Sequence, residues 1–269
     1  MKLIVILFSL ILFGSYQTET YYIIKVKGDI VNLNSGKHLS QGDAILATDE
    51  LKFSDKDAMA LVISDTRGRF KLKFPENKDN DKFEFTSFVK SALVGTNKIQ
   101  FSTRSIITNA AIKDLKEFLG DDEFTVIGNS LEVKLNEKDF SNQKIIAKYD
   151  RNGNLIDKNL VGDDNTFSLS RNILGVKAYG EAKLYHVDFY KLKTDDEQIE
   201  KITRLDVNFI DKATLQDEFK TIIGVYKKKE YTQAQMKAFL MEYFIDFYGN
   251  THLYFLSEFV EKVITENMN

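Results

Sequence analysis

Between residues 21 and 74 apolar and polar positions alternate in short bursts: Ile23 to Val26, Ile30 to Leu33, Leu51 to Phe53, Ala60 to Ile63 and Phe70 to Phe74. Gly, Asn, Asp or Ser bounds each burst, so a period of two predicts half-buried antiparallel strands joined by turns. The reading is a small β-domain over residues 21–75, closed by Pro75, the only proline of the chain, and by the linker-like ENKDNDK. A second domain is expected over residues 82–269. In it NAAIKDLKEFLG predicts a helix capped by Asn109, with Ile112, Leu115, Phe118 and Leu119 apolar and Gly120 as the stop. FTVIGNSLEVKL offers two strand runs around Gly128 and Asn129, and KIIAKYDRNGNLIDKNL two more around Asn152-Gly153, a strong hairpin signal. TFSLS and EAKLYHVDFYKL are strand-like as well. The connections are too short for crossover helices, which predicts an all-antiparallel sheet.

The period lengthens toward the C-terminus. TLQDEFKTIIGVYKK places Leu215, Phe219, Ile222 and Tyr226 on one helical face, and TQAQMKAFLMEYFIDFYG does the same with Met236, Phe239, Leu240, Tyr243, Phe244 and Phe247 before a Gly249 stop. A third helix is expected from Leu253 to Ile264. Stripes of this kind are expected to pack against the sheet, although aromatics at helical spacing also suit a ligand groove. The fold class is therefore α+β: a small N-terminal antiparallel β-domain, then an antiparallel sheet packed with helices, the C-terminus helical. No internal repeat or low-complexity stretch interrupts it.

Composition narrows the classes. Hydrophobic residues make up 43% of the 269 and charged residues 29%, a balance that supports a buried core. The formal net charge of −3 carries no basic block, so no nucleic-acid partner is expected; Lys227, Lys228 and Lys229 read as a solvated helix end or loop. MK followed by LIVILFSLILFG is a positive start and an apolar run of about 12 residues, which suits a signal peptide over residues 1–17 and falls short of the ~20 of a membrane span. Gly14 and Ser15 are small residues in range of cleavage, and an uncleaved N-terminal segment is the only membrane contact foreseen. The expected location is periplasmic or extracellular. With no cysteine, disulfides, a thiol nucleophile and thiolate metal sites are excluded.

The β-domain resembles the FecR-type periplasmic domain of bacterial regulators of sigma factors over about residues 23–74. The elements that carry the resemblance are Gly28, Ser35 with Gly36, Leu39 with Gly42 and Asp43, Asp49 to Phe53, Ala58 to Ile63, and Gly68 followed by Phe70 and Leu72. Such a regulator carries a cytoplasmic segment ahead of its membrane helix, whereas here the β-domain follows directly on the apolar leader, so sigma regulation is not implied. What the resemblance implies is an envelope-side β-module that works by contact with other proteins. The remainder of the chain resembles no family of known function.

Candidate chemistry is sparse. Asp150, Asn152 and Asn154 have the spacing of three oxygen ligands, with Asp163 and Asp164 in the next turn, but Leu155 and Val161 stand where a calcium loop needs Gly and Glu, so a hairpin turn is the expectation. His186 and Asp188 share a strand face, as a base and its orienting carboxylate or a metal pair would. His252 begins a helix, where it is expected to be exposed or a simple hydrogen-bond partner, and His38 is the third histidine. Asp121 with Asp122, Asp195 with Asp196, and Glu258 with Glu261 are placed as helix-end or solvated charges. Gly42-Asp43 reads as a turn. No catalytic, cofactor-binding or metal residue is assigned and no cofactor is expected. These features favour a non-enzymatic envelope protein contacting a partner protein or cell-wall component; a small-ligand sensor and an extracellular hydrolase using acidic residues stand as alternatives.

Overall fold

The computed structural model describes residues 19–64, 66–75, 86–95, 110–141, 143–176, 185–193, 198–227 and 231–268. The expected leader over 1–17, the ENKDNDK stretch, Asn109 and the Asp195-Asp196 pair lie outside these. The chain divides into two compact units, Met1–Thr96 and Asn97–Asn269, and its mixture of strands and helices is α+β.

The first unit contains β1 (Thr20–Lys27), β2 (Ile30–Asn32), β3 (Lys37–His38), β4 (Ala44–Leu46), β5 (Glu50–Phe53), β6 (Met59–Ser64), β7 (Gly68–Lys73), β8 (Thr86–Phe88), the single turn α1 (Val89–Ala92) and β9 (Leu93–Gly95). They form two antiparallel sheets, ordered β4-β1-β6-β7-β9 and β3-β2-β5-β8. Both sheets feed one core that includes Tyr21, Ile23, Ile30, Leu51, Phe53, Val62 and Leu72. The unit runs past Pro75, where the patterning ends the module: β8 pairs with β5 and β9 with β7, adding an edge strand to each sheet. In β1 the alternation breaks at Ile23-Ile24, both fully buried, where the register against β6 shifts between Ile23 and Lys25. A bulge is what lets consecutive isoleucines both leave solvent. Gly28 closes the same strand at φ +75°, and a Cβ there would meet the Ala58 Cβ at 3.0 Å, so this turn needs glycine twice over.

The second unit opens with α2 (Leu115–Leu119), β10 (Glu123–Ile127), β11 (Ser130–Lys134) and α3 (Glu137–Phe140). It continues with β12 (Gln143–Arg151), β13 (Asn154–Asn159), β14 (Thr166–Ser170), α4 (Arg171–Leu174), β15 (Tyr185–Lys193) and β16 (Ile199–Ile210). Three long helices end it: α5 (Lys212–Tyr226), α6 (Gln233–Tyr248) and α7 (Leu253–Met268). The main sheet is ordered β10-β16-β15-β12-β13, with β11 and β14 paired separately. Three expectations are corrected here. The sheet is not wholly antiparallel, because β10 runs parallel to β16 across more than 70 residues of intervening chain, a connection long enough to need no crossover helix. The helix expected from the Asn109 cap starts instead after Asp114, whose carboxylate accepts from the Lys116 and Glu117 N–H groups, and Ile112 is drawn into a bridge with Leu135. The C-terminal stripes pack first on one another: Phe219 meets Tyr243 and Phe259 at 6.1 and 5.9 Å, and Tyr226 meets Phe239 at 4.8 Å. Phe255 of α7 packs against the sheet's core.

The helices are tied to the sheet through residues 248–252. Asn250 lies along β10 as one more parallel rung, accepting from Thr125 N at 2.7 Å and donating to Glu123 O at 3.1 Å. Thr251 Oγ1 donates to Thr125 O at 2.7 Å, and Thr125 Oγ1 donates to Tyr248 O. Gly249 makes the approach possible at φ +73° and ψ −156°, with any Cβ only 3.1 Å from that of Glu123. The entry of α6 is fixed locally: Thr232 and Gln235 close a capping box.

Candidate functional site

In the first unit the Gly42-Asp43 pair is a turn spliced onto β1. Gly42 sits at φ +88°, Asp43 Oδ2 accepts from Ser40 N at 2.7 Å, and the two residues exchange backbone bonds of 2.8 Å with Ile23. His38 is exposed and its Nδ1 lies 2.6 Å from Asp29 Oδ1. Glu19 gathers four donors: Tyr21 Oη and Ser64 Oγ at 2.8 Å, Thr66 Oγ1 at 3.0 Å and Arg67 Nη1 at 3.2 Å. Burial works to raise its pKa, but these donors outweigh it and hold the carboxyl below its ordinary value. Burial and the bond to Glu19 push the Tyr21 phenol up to about 12.

The outer face of the four-stranded sheet carries apolar residues. Leu33 N donates to Glu50 O, and Glu50 pairs directly with Phe88, so Leu33, one residue past β2, Glu50 of β5 and Phe88 of β8 form one row. Leu33 is 42% exposed and Phe88 53%. Leu46, 40% exposed at the end of β4, starts a turn whose Ala47 and Asp49 carbonyls accept from Lys90 and Val89. The turn is fixed by Asp49 Oδ2, which accepts from Asn32 Nδ2 at 2.8 Å and Leu46 N at 3.0 Å. The alternation marks these positions as outward; their clustering depends on pairings that the sequence does not display.

In the second unit the residues flagged by spacing are turned to structural use. Asn152 and Gly153 have φ of +56° and +82°, the signs of a type I′ turn, and Asp150 Oδ1 accepts from Gly153 N at 2.9 Å, so the calcium-like spacing is a hairpin. Asp164 lines a cleft of 780 Å³, where its carboxylate accepts from Lys134 Nζ and from Thr166 Oγ1; these contacts hold the Asp164 carboxyl down to about 2. His186 pairs with Asp206, its cross-strand partner, and not with Asp188. Asp188 is taken by Lys201 Nζ at 2.6 Å. Among the described residues no group of three or more acidic or histidine side chains is placed to hold a metal ion. His252 is buried, not exposed: its Nδ1 accepts from Phe255 N at 3.3 Å and its ring lies 4.4 Å from that of Phe255. Burial lowers its pKa.

Two clusters escaped the sequence reading. Glu218, 1% exposed, accepts from Tyr243 Oη at 3.0 Å and from Tyr248 Oη at 2.7 and 2.5 Å. Burial first, and the Glu218 charge second, raise both phenols well above their ordinary value. The second is a cleft of 470 Å³ lined by Asn129, Arg151, Arg171, Asn172, Gly175 and Val176. Arg171 Nη1 donates to Asn129 Oδ1 at 3.2 Å, and Tyr149 Oη donates to Ile173 O at 2.6 Å beneath it. A Cβ on Gly175 would lie 2.5 Å from Arg151 Nη1, so that guanidinium rests on bare backbone. The signal available in sequence was Ser170 followed by Gly175, a cap and a stop around one helical turn; the 20-residue separation of the arginines hid their meeting. No helix among the described residues is long and apolar enough to cross a membrane. No protein-family model matches the chain, and no curated protein matches it.

Proposed function

We propose that this is an exported bacterial envelope protein that acts by binding a partner protein, with the N-terminal β-unit as the contact module. The observation that carries the reading is the pair of exposed apolar residues Leu33 and Phe88 flanking Glu50 on an outer sheet face, with Leu46 exposed at the end of β4. Large apolar side chains grouped in solvent mark interaction surfaces, whereas scattered ones do not. The apolar leader supports export. The FecR-type resemblance supports a module that works by contact, and the glycines on which it rests, Gly28, Gly36, Gly42 and Gly68, all hold positive φ at turns. Among the described residues, Asp150, Asp188, His186 and His252 are spent on a turn, cross-strand pairs and a helix cap, which fits a binding role better than a hydrolytic one.

The test is site-specific photo-crosslinking in cells, with the crosslinker at Phe88 and, as a control, at exposed Lys144 of the second unit. A discrete protein adduct from Phe88, absent from Lys144 and lost when Leu33 and Leu46 become Ser, is the expected result. Equal adducts from both positions, or none from Phe88, overturn the reading.

A further inference from the structure

We propose that β13, the open border of the main sheet, pairs antiparallel with β13 of a second copy of this chain, in a contact separate from the surface on the first unit. The main sheet has two borders, β10 and β13. Asn250 occupies the β10 side, accepting from Thr125 N and donating to Glu123 O. β13 runs six residues, five of them exposed, and Leu155 is 71% exposed. The two-residue turn at Asn152-Gly153 sets the phase of its hydrogen bonds. Arg151 and Asn154 flank that turn as a bonded pair, and the ladder bonds recur at every second residue up to Leu160 N, which donates to Ile145 O at 2.8 Å. Asn154, Ile156 and Lys158 therefore turn their N–H and C=O groups inward to β12, whereas Leu155 and Asp157 turn theirs outward. Among the described residues none bonds these outward groups. Such an edge is a template for one more strand.

The sequence of the strand selects a second copy and a register. A two-fold axis normal to the sheet keeps like faces together, so residues of the same parity oppose each other. Centred on Asp157 or on Lys158, the axis sets that charge against its own copy, which is destabilising. Centred on Leu155, it runs each strand into the Asn152-Gly153 turn of the other. Centred on Ile156, it opposes Ile156 with Ile156, Leu155 with Asp157 and Asn154 with Lys158, so no like charges meet. The outward groups of Leu155 and Asp157 then form four backbone hydrogen bonds, two from each copy. Asp157 is already held on its own sheet by Lys148 Nζ at 3.2 Å. A lone extended segment would present a new open edge on its far side. A second copy instead makes a sheet of ten strands, five from each chain, bordered at both ends by β10 with its Asn250 rung.

The experiment is sedimentation velocity on the full chain across a wide range of concentration. A dimer that dissociates on dilution is expected; a monomer throughout overturns the proposal. Leu155→Pro loses only an outward N–H, so the hairpin keeps its ladder while pairing weakens about tenfold or more. Leu155→Ser keeps that N–H and should associate as the parent does. Undiminished association of a folded Leu155→Pro protein, or an equal loss in Leu155→Ser, refutes strand pairing. Should Leu155→Pro fail to fold, the cysteine-free chain offers a second measurement. In this register Ile156 and its copy form a non-hydrogen-bonded pair with Cα atoms about 4.5 Å apart, within reach of a disulfide. Oxidised Ile156→Cys should therefore give covalent dimers, and Lys158→Cys, opposite Asn154, should not. No dimer from Ile156→Cys, or equal yields from both, overturns the pairing.

Discussion

Tyr248→Phe tests the buried carboxylate of the helical bundle. The hydroxyl it removes is the shortest donor to Glu218, at 2.7 and 2.5 Å from the two carboxylate oxygens, in a site where Glu218 is 1% exposed. A hydrogen bond to a charged group contributes about 1.5–3 kcal/mol, and the phenyl ring that remains preserves packing, so the loss should fall in that range. Tyr243→Phe, removing the 3.0 Å bond to Oε2, should cost less. The two losses should not add, because both donors share that oxygen and the survivor tightens when the other goes. Urea unfolding read by far-ultraviolet circular dichroism at 222 nm reports the helical unit, and parent and variants are compared at their midpoints. The pH dependence has a definite sign. Both phenols are raised above their ordinary 10.0 by burial and by Glu218, so the stability they contribute is complete below pH 10 and is lost as pH climbs above it, where the unfolded chain ionises first. Tyr248→Phe should flatten that alkaline slope. A loss below about 0.5 kcal/mol, within the range of an ordinary surface substitution, with an unchanged alkaline slope would falsify the assigned network.

Three further outcomes follow from the geometry. Gly249→Ala should destabilise the second unit by about 1–3 kcal/mol, because the backbone sits in a region almost confined to glycine and the new methyl crowds Glu123; an unchanged urea midpoint would refute this. His252, whose pKa is lowered by burial, contributes stability that is present above pH 6.5 and lost as pH falls through the folded value. His252→Asn keeps a helix-capping acceptor and should shrink the acid slope just below pH 6.5, measured as midpoint against pH. Glu19 is held below its ordinary 4.5 by its donors, so its contribution is lost at still lower pH; Glu19→Gln should flatten that lower arm while leaving the His252 arm in place.

Much of the fold was legible because local chemistry and tertiary structure agree. The Asn152-Gly153 hairpin, the Gly42-Asp43 turn and the three long helices are specified by residues within a few positions of each other. What was missed involves distant partners or local competition. β16 went unread because its first half, IEKITR, is largely exposed and polar, and only Leu205, Val207 and Phe209 alternate into the core. Its parallel pairing with β10 has no sequence signature at all. The α2 region failed in the opposite sense: a good helical period gave way where Ile112 bridges Leu135, just past β11, and Asp114 caps the Lys116 and Glu117 N–H groups. The site residues follow the same division. Spacing joined His186 to Asp188, but register joins it to Asp206; Arg151 and Arg171 line one cleft where Tyr149 of β12 bonds Ile173 of α4.

The side chains that looked catalytic gather around β16, and this location explains their use. β16 is a 12-residue strand with a register shift against β15 at Phe189/Tyr190, and a one-residue slip would turn Leu205, Val207 and Phe209 to solvent. Hydrophobic burial penalises that slip strongly but discriminates weakly against a slip of two, which restores the same faces. Charged and polar pairs discriminate where burial does not. Asp188 with Lys201 and His186 with Asp206 fix β16 against β15 on either side of Thr203. Thr203 Oγ1 donates to Gly120 O at 2.9 Å, and Asp206 N donates to Asp122 O at 2.8 Å, anchoring the other edge. A two-residue shift breaks all four at once. Exposed pairs of this kind add little stability individually, so their value is in rejecting the wrong register. That gives His186 and Asp188 a part in folding specificity.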